Sequence, residues 1–176
     1  MTATFSSRGS RNCRPVDLDS AGGNYDGISS WTVIRSAVQW FKLQVGSGGL
    51  SYSTHGRIYD PAASNSYWYY YPSLNVNAAG HLVAGFSGSR ATEYIGAFWV
   101  GRKANGTWMN RPALVQAGRG AYGGGERWGD YSAASMDPTT DPQNPNFGTF
   151  WTVQQYADPV PEQPWGTWIT QVKVSP

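Results

Sequence analysis

Hydrophobic and polar residues alternate with a period of two along Val38-Gln-Trp-Phe-Lys-Leu-Gln-Val45, which predicts a half-buried β-strand. Gly46-Ser-Gly-Gly49 reads as a turn, and Leu50–Ile58 as a second strand ended by Asp60-Pro61. Four further strands are predicted at Ser73–Asn77, His81–Ser87, Tyr94–Arg102 and Ala113–Ala117. Three more are predicted at Tyr131–Met136, Gly148–Tyr156 and Trp165–Val174. Asn77-Ala-Ala-Gly80 and Asn105-Gly106 supply glycine where a hairpin turn needs positive φ. The proline-rich segments Asp137–Pro145 and Asp158–Pro164 are expected to separate strands, because proline donates nothing to a ladder. Residues 1–34 show neither strand nor helix periodicity and read as poorly ordered. Residues 35–176 read as the folded domain.

The strand pattern repeats. Tyr71-Pro-Ser-Leu-Asn-Val-Asn77 followed by His81–Ser87 has a counterpart in Tyr131-Ser-Ala-Ala-Ser-Met-Asp137 followed by Thr149–Gln155. Tyr71 aligns with Tyr131, Val76 with Met136 and Asn77 with Asp137. A period of this length filled with short strands is the signature of a β-propeller blade. The expected fold is therefore all-β, a partial β-propeller of about two and a quarter four-stranded antiparallel blades. Such a fragment leaves strand edges open. That predicts either a larger propeller or a homo-oligomer that closes the ring.

Composition narrows the function classes. Charged residues are only 14% of the chain, while 22 glycines and 15% aromatics favour sheets and turns over helices. The net charge is +2 with no basic run, so nucleic acid is not an expected partner. No apolar run is long enough to span a membrane. Met1–Arg8 lacks the apolar region of a signal peptide, so the chain as written is expected in the cytoplasm. Cys13 is the single cysteine, which excludes an internal disulfide and a cysteine metal cluster.

The runs Tyr71–Asn77, Gly85-Phe-Ser-Gly-Ser89 and Arg127-Trp-Gly-Asp-Tyr-Ser132, with Asp137-Pro138 and Phe150-Trp151, resemble the last blades of a bacterial family of secreted, sialidase-like β-propeller proteins. The resemblance covers roughly residues 38 to 174, a few blades' worth of chain. It implies a secreted or cell-surface location. The N-terminal stretch does not look like the family's preceding blade. The repeat box Ser-x-Asp-x-Gly-x-Thr-Trp is not intact, and Lys103-Ala-Asn-Gly-Thr-Trp108 shares only its end.

A propeller gathers its ligand-facing loops on one face. Here these are Pro61–Tyr71, Ser87–Glu93, Gly118–Tyr131 and Ala157–Pro164. The densest is Gly123-Gly-Gly-Glu-Arg-Trp-Gly-Asp130, where Glu126, Arg127, Asp130 and Tyr131 are the candidate catalytic residues. A carboxylate there could serve as general base or orient a water on a cation. Alternatively, Arg127 and Asp130 pair to pin the loop and Trp128 caps the blade. Arg90, Glu93, Arg119, Tyr122 and Trp128 are candidate substrate-binding residues. Asp137 and Asp141 are candidate Ca2+ ligands in an oxygen-rich loop, for which a solvated turn is the competing reading. His55 and His81 have no partner at ligand spacing, and no Ser-His-Asp triad is supported.

The expected function is a hydrolase of a small polar lactone, ester or glycoside, with Ca2+ as a candidate cofactor. The alternatives are a non-catalytic module that binds glycan or protein, and a structural fragment of a larger secreted propeller protein.

Overall fold

In a computed structural model of the chain, the described residues are 16–18, 35–123, 127–138, 147–160 and 163–174. Among them the protein is all-β, with ten strands in three open sheets and no helix. Of the 1–34 segment only β1 (Val16–Leu18) is described, and it pairs antiparallel with the start of the next strand. The chain divides into two compact units, Met1–Tyr70 and Tyr71–Pro176.

The first unit is built on β1, β2 (Arg35–Gly46) and β3 (Gly49–Ile58), in that order across the sheet. Arg35 is buried and donates to the carbonyls of Asp60 and Ala62. The Asp60 carboxylate in turn accepts the N–H groups of Ala62 (3.1 Å) and Tyr67 (2.9 Å). A charge taken from water is tolerated here because the loop's carbonyls replace its hydration. Val38 lies opposite Ile58 and Trp40 opposite Gly56, and Val38, Trp40 and Ile58 are buried. Beyond Trp40 the hairpin runs out into solvent, and every residue from Gln44 to His55 that belongs to a strand is exposed.

The second unit carries two sheets. One has the order β4-β5-β6-β7, formed by β4 (Trp68–Val76), β5 (Leu82–Arg90), β6 (Glu93–Arg102) and β7 (Ala113–Gln116). The contact boundary between units falls within β4. The other sheet has the order β10-β9-β8, formed by β8 (Ala133–Met136), β9 (Thr149–Val160) and β10 (Gln163–Lys173). Val83 of β5, Phe150 of β9 and Val172 and Val174 from the end of the chain form the core between them, with Trp99 against it.

β5 is buried on both faces over Leu82–Gly88, as its run of apolar and small residues requires. On one face Val83, Gly85 and Ser87 meet β9. A side chain at Gly85 would overlap Thr152 Oγ1 and the Gln154 amide, so glycine is what lets the two sheets close. On the other face Phe86 stacks on its cross-strand partner Phe98 at 6.2 Å. The predicted turns are in place, with positive φ at Gly80 and Gly106. One expectation is corrected. Asp158–Pro164 still holds the junction between two strands but is not strand-free, because β9 continues to Val160 and β10 starts at Gln163. Pro159 and Pro164 are accommodated by an irregularity between Gln163 and Trp165.

Candidate functional site

Residues 118–123 and 127–131 lie against the ends of β5, β9 and β10 within the second unit, and Trp128 fixes this loop segment there. Trp128 is buried, and its Nε1–H donates to Ser87 Oγ at 3.1 Å. Ser87 donates in turn to the Gln155 carbonyl at 2.9 Å. Tyr122 packs edge-on against the Trp128 ring at 4.8 Å and donates its hydroxyl to the Arg127 carbonyl at 2.5 Å. The next residue, Gly129, has φ +90° and donates its N–H to Gln155 Oε1. A Cβ at Gly129 would sit 2.1 Å from the Tyr71 ring, so the loop lies flat on Tyr71. Tyr71 itself holds φ +50°, an unusual conformation for a bulky residue that marks this face.

Among the described residues, Arg90, Glu93, Arg119, Arg127, Asp130 and Asp158 of this face form three ion pairs. Arg127 and Asp130 form an exposed ion pair at 3.2 Å. Arg119 reaches Asp158 Oδ2 at 3.2 Å, and the same oxygen accepts the Tyr156 hydroxyl at 3.0 Å. The Arg119 guanidinium also lies 5.6 Å from the centre of the Tyr156 ring, and the Arg119 backbone N–H donates to the Ala157 carbonyl at 2.8 Å. Burial, followed by the Asp158 hydrogen bond and charge, raises the Tyr156 phenol above its ordinary value, with Arg119 opposing. Arg90 and Glu93 bond to each other across the β5–β6 turn, with Nε to Oε1 at 2.9 Å.

Beyond the ion pairs is an aromatic platform. Tyr131 stacks on Trp165 with centroids 5.0 Å apart and planes 25° from parallel. Tyr131 is 55% exposed, so the stack still faces solvent.

The structure thus brings Arg119, Tyr122, Arg127, Trp128, Asp130 and Tyr131 into one loop surface. Glu126 and Asp141 lie outside the described residues. Asp137 closes the β8–β9 pairing, its N–H donating to the Thr149 carbonyl at 3.0 Å. Among the described residues no group of three or more His, Cys, Asp or Glu is placed to hold a metal ion. Sequence reasoning missed Trp165, Gln155 and Tyr156, which lie inside predicted strands rather than in loops. The alignment of Tyr131 with Tyr71 and the aromatic run Tyr67–Tyr71 were the sequence signals pointing to Tyr71. No protein-family model, curated protein or solved structure matches the chain.

Proposed function

We propose that the second unit is a non-catalytic module that binds a hydroxyl-rich ligand, a glycan, on the face formed by residues 118–123 and 127–131. The observation that carries this reading is the solvent-facing Tyr131–Trp165 stack beside the Arg127–Asp130 pair. Sugar rings present an apolar C–H face and a rim of hydroxyls. An exposed aromatic plane suits the first. A guanidinium and a carboxylate held side by side supply donors and acceptors for the second. The expected hydrolase has less support. Asp130 and Asp158 are each paired with an arginine, and the catalytic chemistry asked for a carboxylate available to water or substrate.

The blade reading belongs to the same proposal. A four-stranded sheet followed by a three-stranded sheet, each meandering antiparallel, supports a partial propeller whose ring further blades or further copies would complete. Calcium has no assigned part in this binding, and its expected ligand Asp137 is tested by the same assay with and without chelator.

Titration of tryptophan fluorescence with oligosaccharides tests the reading. Trp165→Ala and Tyr131→Ala are each expected to weaken binding by about tenfold or more, with the fold retained. Binding that survives both changes would sink the proposal. Turnover of a lactone, ester or glycoside that Asp130→Ala abolishes would restore the hydrolase reading in its place.

A further inference from the structure

The β2–β3 hairpin of the first unit changes its apolar side halfway along. At its base Val38, Trp40 and Ile58 are buried on one face. From Phe41 outward the phase reverses. The cross-strand pairs Phe41/His55, Leu43/Tyr52 and Val45/Leu50 share the opposite face. Lys42/Thr54 and Gln44/Ser51 carry the polar face. Ser53 is the extra residue of a bulge between Lys42 and Leu43, and this bulge keeps the two sets in register. The outer apolar face is therefore not a continuation of the unit's own core. Val45 is 57%, Leu50 68% and Tyr52 57% exposed. A two-stranded ribbon alone is marginal in water and needs its apolar face covered.

We propose that this arm is a self-association element that packs face to face on the arm of a second copy of the chain. Three features favour a second copy. The face is a short ladder of three pairs, and a two-fold rotation across the strands lays Leu43/Tyr52 on its own equivalent. The same rotation sets the aliphatic Val45/Leu50 end of one arm against the aromatic Phe41/His55 end of the other. The exposed part of the six side chains comes to roughly 500 Å² per arm, or about 1,000 Å² for a pair. That sits at the lower bound of a specific interface and fits a weak, concentration-dependent dimer. A lipid surface is a poorer occupant, because among the described residues the outer edges of the arm have no further strand beside them, and hydrocarbon cannot satisfy their N–H and C=O groups.

Sedimentation velocity of the full chain, from micromolar to millimolar concentration, is the test. The wild type is expected to show a monomer–dimer equilibrium. Val45→Ser with Leu50→Ser is expected to weaken it by about tenfold or more with an unchanged circular dichroism spectrum. Lys42→Ser, on the polar face, should leave it unaltered. A wild type that stays monomeric throughout overturns the inference. So does association that the Val45/Leu50 change leaves intact, as ring closure through other sheet edges would. Co-sedimentation of a monomeric wild type with phosphatidylcholine vesicles, lost in the double variant, would overturn it in favour of a membrane. None of these outcomes depends on whether a glycan binds the second unit.

Discussion

Single side chains on the loop face do more structural than chemical work. Ser87 is the clearest case, since it both receives the Trp128 N–H and donates to the Gln155 carbonyl. Ser87→Ala would leave the buried indole N–H without its acceptor. It is expected to cost about 1–3 kcal/mol in urea unfolding, the desolvation cost of an orphaned polar group. Gly129 is constrained twice, by its positive φ and by the Tyr71 ring beneath it. Gly129→Ala is expected to destabilise more than the ordinary ~1 kcal/mol of a point change, through strain and overlap together. Pairing it with Tyr71→Ala should recover the overlap part but not the backbone part, which a double-mutant cycle would separate. That Trp128 caps the sheet was readable from the loop's own sequence, but its Ser87 partner and the Gly129–Tyr71 contact were not. Arg127 and Asp130 are three residues apart, so their pairing was foreseeable. Trp128's partner lies forty-one residues away on β5, and only the packing of two sheets makes it a neighbour.

At the scale of elements, most of the fold was legible. Where one face of a strand is buried, alternation marks it, and the expected spans of β2, β3, β5, β6 and β10 lie within a few residues of those observed. The failures have physical causes. β4 starts at Trp68, but Tyr67-Trp-Tyr-Tyr-Tyr71 is aromatic at every position and carries no period. Tyr69 is buried while Tyr71 is exposed, a difference composition cannot express. The β9–β10 hairpin runs through Pro159 and Pro164, which deterred a strand assignment until the register irregularity is seen. β5 is the element on which the second unit closes. A methyl group at Gly85 would reach 2.1 Å from Thr152 Oγ1, between backbones that cannot separate without opening the Val83–Phe150 core. Gly85→Ala is therefore expected to cost about 1–3 kcal/mol or more as overpacking, read as a lowered melting temperature. Thr152→Ala in the same chain should return part of that loss.

Across the whole molecule, two groups of the second unit set opposite ends of a pH window. His81 is buried, and its Nδ1 accepts the Ala104 N–H at 3.2 Å, which requires the neutral ring. Burial first, and the Lys103 charge second, hold it below its ordinary value of 6.5. The unfolded chain therefore binds the proton more readily than the folded one. His81 contributes stability that is present above pH 6.5 and is lost as pH falls through its lower folded value. Tyr156 works in the other direction. Its phenol is raised above 10.0, so the folded chain holds the proton longer, and its contribution is present below pH 10.0 and lost as pH rises through the higher folded value. Melting temperature against pH should thus run level between these limits as far as these two groups decide it, and fall on either side. His81→Gln keeps an acceptor for Ala104 without a titrating ring, and is expected to flatten the acid fall while leaving the alkaline one. Tyr156→Phe should do the converse, at a uniform cost of about 1 kcal/mol for the lost hydrogen bond to Asp158. A variant that moved both limbs together would mean that neither group acts alone and that the window belongs to the general charge of the chain.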